Sequence, residues 1–217
     1  MTTYGLIAQK IWTGYAKAAQ RLGPIFTIYR PNSATQPLQP SSVIATLPAS
    51  FSVDPKFVRP QDYGNARWTC LVDGNITRPG DYLSGSEGTW FIAQQHIMLP
   101  ISAVLCNRTA DLHRAAQQTG TGINGYGGNT YATEQILLQG WPMSILKAPY
   151  GAPTELKLPG DTVEPKWNIL VPLLNPVFGV TFQTRDIVED DLSRRFFVEL
   201  AELTELGWRV SARQVMT

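Results

Sequence analysis

Four groups of residues in this chain have the types and spacing that chemistry needs. Gly120-Thr121-Gly122-Ile123-Asn124-Gly125 has the spacing of a dinucleotide-binding turn. Such a turn works when a strand leads into it and a helix opens from it, so that backbone N–H groups meet the pyrophosphate. Here Tyr126-Gly127-Gly128-Asn129 follows, which cannot start a helix, so the segment reads as a Gly-rich interface loop. His96 and His113 are candidate bases or metal ligands, but neither stands at ligand spacing from a cysteine or a carboxylate. No nucleophile elbow accompanies them, so both read as structural. Glu189-Asp190-Asp191 offers the oxygens a divalent cation takes. It falls at a predicted tight turn, where aspartate is favoured for geometry alone, and reads as a solvated turn. Cys70 and Cys106 lie beside apolar residues and read as buried free thiols. The expectation is therefore no catalytic residue, no cofactor and no metal.

The elements that carry these groups include two similar segments. Gly80 to Ala93 and Arg185 to Val198 align at a constant offset of 105 residues. Asp81 matches Asp186, Tyr82-Leu83 matches Ile187-Val188, Gly88 matches Ser193, and Phe91-Ile92 matches Phe196-Phe197. Each reads as strand, polar turn, strand, which is a β-hairpin. An isolated hairpin is marginal in water, so both belong in larger sheets. The shared positions are apolar strand residues and the entry aspartate, so the repeat encodes fold. The charges Glu189, Asp190, Asp191, Arg194 and Arg195 occur in the second copy alone, which points to partner contacts there and to deeper burial of the first copy.

The 217 residues suffice for one large domain or two small ones, and 43% apolar content provides a core. The 18 basic and 17 acidic residues leave a net charge of +1, which gives no electrostatic case for nucleic acid or an anionic membrane. Only 16% of residues are charged, against about 25% in ordinary domains, and six Trp, eight Tyr and eight Phe accompany that deficit. Interface cores are depleted in charge and rich in aromatics, so part of this surface is expected under other subunits. No apolar run approaches the roughly 20 residues of a membrane span. The N-terminus lacks a secretion pattern, so synthesis in a cytoplasm is expected.

Residues 4–22 predict an amphipathic helix with Ile7, Ile11, Tyr15, Ala18 and Leu22 on one face, closed by Gly23-Pro24. Strands are predicted at Ile25 to Arg30, Val43 to Leu47, Ala66 to Val72, Ile97 to Leu105, Asn168 to Leu174, Val177 to Phe182 and Gly207 to Val215. Asn107 to Gln118 is ambiguous, with a short helix as its reading; residues 130–150 return to an alternating or apolar pattern (Tyr131, Ile136-Leu137-Leu138, Trp141, Ile145-Leu146), and Glu202 to Glu205 reads as a turn. The fold class is mainly β (α+β): an N-terminal amphipathic helix, then a barrel- or sandwich-like body with an inserted Gly-rich loop segment. The expected divisions are 1–31 for the helix and first strand, 32–118 for a first β-rich part, 119–165 for a Gly/Pro-rich insertion, and 166–217 for the C-terminal hairpin part. The two hairpins belong to one barrel or to two related ones.

Leu22-Gly23, Tyr29-Arg30-Pro31, Gly80-Asp81-Tyr82-Leu83, Gly88-Thr89-Trp90-Phe91-Ile92-Ala93, Cys106-Asn107-Arg108-Thr109, and Asp186-Ile187 through Gly207-Trp208-Arg209 resemble segments of small virion proteins of tailed bacteriophages and prophages. The resemblance spans most of the chain except 119–165. It implies a structural, non-enzymatic subunit in the virion, made in the bacterial host cytoplasm. The first implied place is the tail or baseplate, among tail-tube, hub and baseplate subunits. The alternative is the neck, as a head–tail connector or head-closure protein. A tail-associated glycan-binding module or hydrolase is a further alternative. Symmetric multi-copy assembly is implied, with no direct nucleic-acid recognition and no membrane. Candidate interface residues are Ile7, Ile11 and Tyr15 on the helix, Tyr126 in the Gly-rich loop, and Glu189, Asp190, Asp191, Arg194 and Arg195 on the second hairpin.

Overall fold

The computed structural model describes residues 3–53, 66–97, 99–115, 134–147 and 166–215. Among the described residues one α-helix, α1 (Thr3–Leu22), precedes thirteen strands. These are β1 (Ile25–Tyr29), β2 (Val43–Pro48), β3 (Ser50–Ser52), β4 (Arg67–Leu71), β5 (Tyr82–Gly85), β6 (Gly88–Gln94), β7 (Ile101–Cys106), β8 (Arg108–Ala115), β9 (Glu134–Lys147), β10 (Lys166–Val171), β11 (Ile187–Asp190), β12 (Arg195–Thr204) and β13 (Gly207–Val215). The chain is mainly β, as its hydrophobic pattern predicts.

The strands form two units of the same topology. The first is a sheet of order β2-β1-β5-β6-β7-β4-β3. Its edge strands β2 and β3 are consecutive in the chain across Ala49 alone, so one bent segment bounds both edges and closes the sheet. Aromatic contacts cross the interior: the Phe51 ring stacks on Trp90 at 4.0 Å and meets Phe26 edge-on at 5.3 Å. The second unit is a closed barrel of order β10-β13-β12-β11-β8-β9. Counting β2 and β3 as one strand, β1, β2/β3, β4, β5, β6 and β7 occupy the places of β8, β9, β10, β11, β12 and β13. The bent strand has its counterpart too, since β9 pairs first with β8 and then with β10.

Register makes the match residue by residue. Ile28 pairs with Leu83 as Leu112 pairs with Val188. Cys70 pairs with Ile101 as Ile169 pairs with Val210. A bulge falls after Ile92 in the first unit and after Val198 in the second. The hairpin repeat is therefore one part of a duplicated barrel. It needs one adjustment: the second turn is a residue longer, with Ser193 in the left-handed region (φ 58°), so Phe91 matches Phe197 and Ile92 matches Val198. A three-residue turn closing on a left-handed residue is a common hairpin connection.

Several expectations change. Asn107 to Gln118 contains strand β8, because Ala110 and Leu112 alternate inward and are buried. The stretch 119–165 contains β9, a wall of the second barrel. Gly140 (φ 69°) and Pro142 resemble loop punctuation but lie within this bent strand. The units divide as Ile25–Cys106 and Arg108–Val215, and not at residues 31, 118 and 165. Val177 to Phe182 is no strand. Pro176 lacks an N–H and starts a 3₁₀ turn that ends on left-handed Gly179, while Phe182 packs on Trp208. Strand β12 continues through Thr204, which leaves only Glu205-Leu206 as the turn.

The barrels pack through unlike faces. The outward side chains of β5, β6 and β7, namely Tyr82, Phe91, Ala93 and Val104, are buried in one cluster with Trp141, Met143 and Leu174 of the second barrel. The Tyr82 hydroxyl donates to the Pro142 carbonyl at 2.8 Å. Helix α1 holds on the first barrel the place that the first barrel holds on the second. Gly23 brings α1 past Ala49, where a Cβ would strike the Ala49 carbonyl; Asn107 brings β7 past the matching Met143 and donates its backbone N–H to the Met143 carbonyl at 3.1 Å. Trp12 lies on Gly74, while Leu173, at the matching loop position, abuts Gly80. The series α1, first barrel, second barrel is thus one kind of contact used twice.

Candidate functional site

The most elaborate polar constructions are two matching arginine–aspartate clamps. Asp81 and Asp186, the entry aspartates of the repeat, are almost fully buried. Arg30 Nε and Nη2 donate to Asp81 Oδ1 and Oδ2 at 2.8 and 2.7 Å, and Nη2 also donates to the Ile76 carbonyl at 3.0 Å. Arg114 does the same to Asp186 at 2.7 and 2.8 Å and to the Thr181 carbonyl at 2.6 Å. Each carboxylate also accepts the backbone N–H three residues earlier, from Arg78 at 3.0 Å or Gln183 at 2.8 Å. The hydrogen bonds to Asp81 and Asp186 hold both guanidinium groups above their usual range despite burial. The planar fork of arginine matches the carboxylate bidentately, so each loop is pinned to its own barrel wall.

The residue before each aspartate has positive φ: 92° at Gly80 and 76° at Arg185. At Gly80 a Cβ would stand 2.8 Å from the Leu173 carbonyl, so the docked second barrel demands glycine. Arg185 takes the same left-handed backbone, which is uncommon for a residue with a side chain. Each carboxylate accepts three hydrogen bonds from its own barrel, so the role the geometry shows for the clamps is to hold their loops.

The acidic turn proves to be a third clamp. Asp190 is buried where a solvated turn was expected. Its Oδ1 accepts the N–H groups of Leu192 at 3.0 Å and Arg194 at 2.9 Å, and its Oδ2 accepts Arg194 Nε and Nη2 at 2.8 and 2.6 Å. The Arg194 guanidinium lies over the Trp167 and Phe196 rings at 5.3 and 5.5 Å. Burial pushes the Asp190 carboxyl up, but the bonds from Arg194 and the two N–H groups outweigh it and hold the group below its usual range. A depressed folded value stabilises the fold above the unfolded value of about 4 and withdraws that stability as pH falls through the folded value. Asp190→Asn is therefore expected to flatten the acid limb of a thermal-melt series below about pH 4 while lowering stability at neutral pH. An unchanged acid limb would contradict the assignment.

The other candidates scatter. Glu189 lies 3.5 Å from Arg195, which also bonds Glu134; Asp191 is exposed, 3.7 Å from Arg108. The charges singled out for partner contacts are thus paired within the chain. Ile7 is exposed, Ile11 and Tyr15 are half-buried, and Tyr126 and the Gly-rich loop lie outside the described residues. His96 is exposed; His113 Nδ1 stands 3.7 Å from Glu134. Among the described residues no group of three His, Cys, Asp or Glu side chains is placed to hold a metal. Cys70 and Cys106 are free, and burial pushes both thiols up.

A cleft of about 350 Å³ marks the barrel junction, with Arg30, Arg78, Asp81, Trp141, Leu173 and Asn175 in its lining. Arg78 is its open cation, 4.0 Å from Asp81, but that carboxylate already neutralises Arg30. The arginines of the clamps escape a reading by repeat offset, since Arg30 and Arg114 are 84 residues apart and the aspartates 105. Their shared signal is an arginine directly after an aromatic ring at a strand end, Tyr29-Arg30 and His113-Arg114. Against known proteins, no family model matches the chain, and no curated protein or solved structure matches it.

Proposed function

We propose that this chain is a structural subunit of a tailed-bacteriophage particle, in the tail or baseplate, where it joins tube, hub and surrounding subunits through protein contacts. The sequence resemblance raises the idea. The observation that carries it is the division of the surface: buried carboxylates are committed to clamps, while large apolar side chains stand exposed on α1 and on the outer wall of the second barrel. Rigid barrels with rigidly held loops suit a part that must keep its shape among neighbours. The reading assigns the chain no reaction.

Mass spectrometry of purified virions from the encoding phage or induced prophage tests this. The chain should appear at fixed stoichiometry relative to the tail-tube protein. Its absence from intact particles would overturn the reading, and a particle density map with the barrels at the head–tail junction would move it to the neck.

A further inference from the structure

The cleft at the barrel junction holds hydrogen-bond donors that the fold leaves uncommitted. Its volume of about 350 Å³ is that of a small ligand or peptide site. Pro31, Pro79, Pro176 and Leu173 form its walls. The three prolines have fixed φ, so much of the wall is preformed. Arg30, Arg78 and Asn175 bring nitrogen atoms to the same space. Arg30 commits Nε and Nη2 to Asp81 and the Ile76 carbonyl, which leaves Nη1. Asn175 commits Oδ1 to the Val177 N–H, which leaves Nδ2. Arg78 is 60% exposed, and its Nε stands 4.0 Å from Asp81 Oδ1, beyond hydrogen-bond reach.

The duplicated fold separates this arginine from the clamp beside it. Its matching residue is Gln183. Both residues donate a backbone N–H to the entry aspartate, at 3.0 Å from Arg78 and 2.8 Å from Gln183. A neutral side chain therefore serves the second clamp, and the guanidinium of Arg78 does something the clamp does not require.

The charge count limits what that is. Arg30, Arg78 and Asp81 leave the cleft with one net positive charge. The open groups are donors, and the Asp81 oxygens are already occupied. The complement is an acceptor with a single negative charge on an apolar stem. A phosphate monoester carries nearly two negative charges and would stand near Asp81. A nucleic acid needs a track of cations, and the described lining has two, one of them neutralised by Asp81.

We infer that the cleft binds an acidic peptide segment, with an aspartate or glutamate carboxylate on Arg78 and a flanking apolar side chain against Leu173 and Pro176. This names the chemistry of one contact within the assembly reading and rests on that reading for the segment's source, a neighbouring subunit.

The test titrates the ¹⁵N-labelled full-length chain with the peptide acetyl-Ala-Leu-Glu-Leu-Ala-amide, its Gln analogue, and inorganic phosphate. The side-chain Nε–H signal of Arg78 reports binding. The Glu peptide should bind with a Kd of about 1 mM or tighter, and the Gln peptide at least about tenfold more weakly, for loss of one charge-assisted bond. Salt at about 0.5 M should weaken the Glu peptide, because Arg78 is exposed. Arg78→Gln keeps the backbone donor to Asp81, so it should melt within about 2 °C of wild type and bind the Glu peptide at least about tenfold more weakly. Arg78→Lys keeps the charge without the fork and should recover part of that loss. Equal binding of the two peptides to wild type, unchanged binding by Arg78→Gln, or no binding up to about 10 mM would overturn the inference. Phosphate binding more tightly than the Glu peptide would overturn it too, since the site would then select an anion and not a peptide. A chain found in virions that binds neither peptide refutes this site and leaves the structural reading standing; a chain that binds the Glu peptide yet is absent from virions does the reverse.

Discussion

Asp81→Ala should lower the folding free energy by about 3 kcal/mol, the lower part of the range for breaking a buried ion pair by removing one partner. The low end applies because the Arg30 side chain keeps 29% of its surface in water, while Asp81 keeps 1%. The substitution strands two guanidinium donors and the Arg78 N–H, and it frees the Arg78–Asp81 loop from β1. Asp81→Asn keeps one oxygen acceptor and the shape, so its loss should be about half as large. Asp186→Ala should cost a similar amount, because Arg114 makes the same three side-chain bonds. Denaturant titration of the four proteins measures this. A change below about 0.5 kcal/mol for Asp81→Ala, the range of ordinary surface substitutions, would contradict the clamp.

The clamps show what local sequence can and cannot reveal. The helix was legible because a wide apolar stripe at helical spacing ends at Gly23-Pro24, and the hairpins because alternating apolar runs flank polar turns. The aspartate repeat was legible for the same reason. Its arginines were not, because the β1–β5 and β8–β11 separations differ and the pairing is made only when the barrel closes. The apolar pattern of β9 was legible, but its place in a barrel wall was not, because Gly140 and Pro142 punctuate it; β8 was masked by Asp111 and His113 on its outward positions. Barrel closure across Ala49 leaves no local mark, since a bend between two strands reads as two strands.

The duplication is faint in the sequence because the two copies face different neighbours. Matched inward positions stay apolar: Leu83 and Val188, Trp90 and Phe196, Ala103 and Ala212 are all buried. Matched outward positions diverge wherever one copy is covered and the other is open. Val104 lies under the second barrel and Arg213 meets Glu199 at the surface. Gly80 admits the Leu173 carbonyl and Arg185 has no such constraint. The same backbone thus carries a core pattern on one wall and an interface pattern on the other, and only the first is shared.

Trp141→Ala should have the largest effect of any single substitution at the barrel junction, about 3–5 kcal/mol for deletion of a buried tryptophan side chain. Trp141 sits on β9 of the second barrel and is 1% exposed. Its Nε1–H donates to the Ala34 carbonyl of the first barrel's β1–β2 connection at 2.6 Å, and its ring meets Tyr82 and Phe178 edge-on, each at 6.1 Å. That connection also runs beside β9, where the Gln36 N–H donates to Gln139 at 2.8 Å and the Gln139 N–H donates to Ala34 at 3.1 Å. Losing the ring removes the filler between the barrels and leaves the Ala34 carbonyl short of one donor. Each barrel keeps its own inward core, so the variant should lose coupling before it loses either barrel, and calorimetry should resolve two transitions where the wild type gives one. Tyr82→Phe supplies the contrast: it removes only the bond to Pro142, costs about 1 kcal/mol, and should leave one transition shifted to lower temperature. If Trp141→Ala keeps a single transition and loses less than about 1 kcal/mol, the barrels are held together elsewhere, and Trp141 is not the residue that couples them.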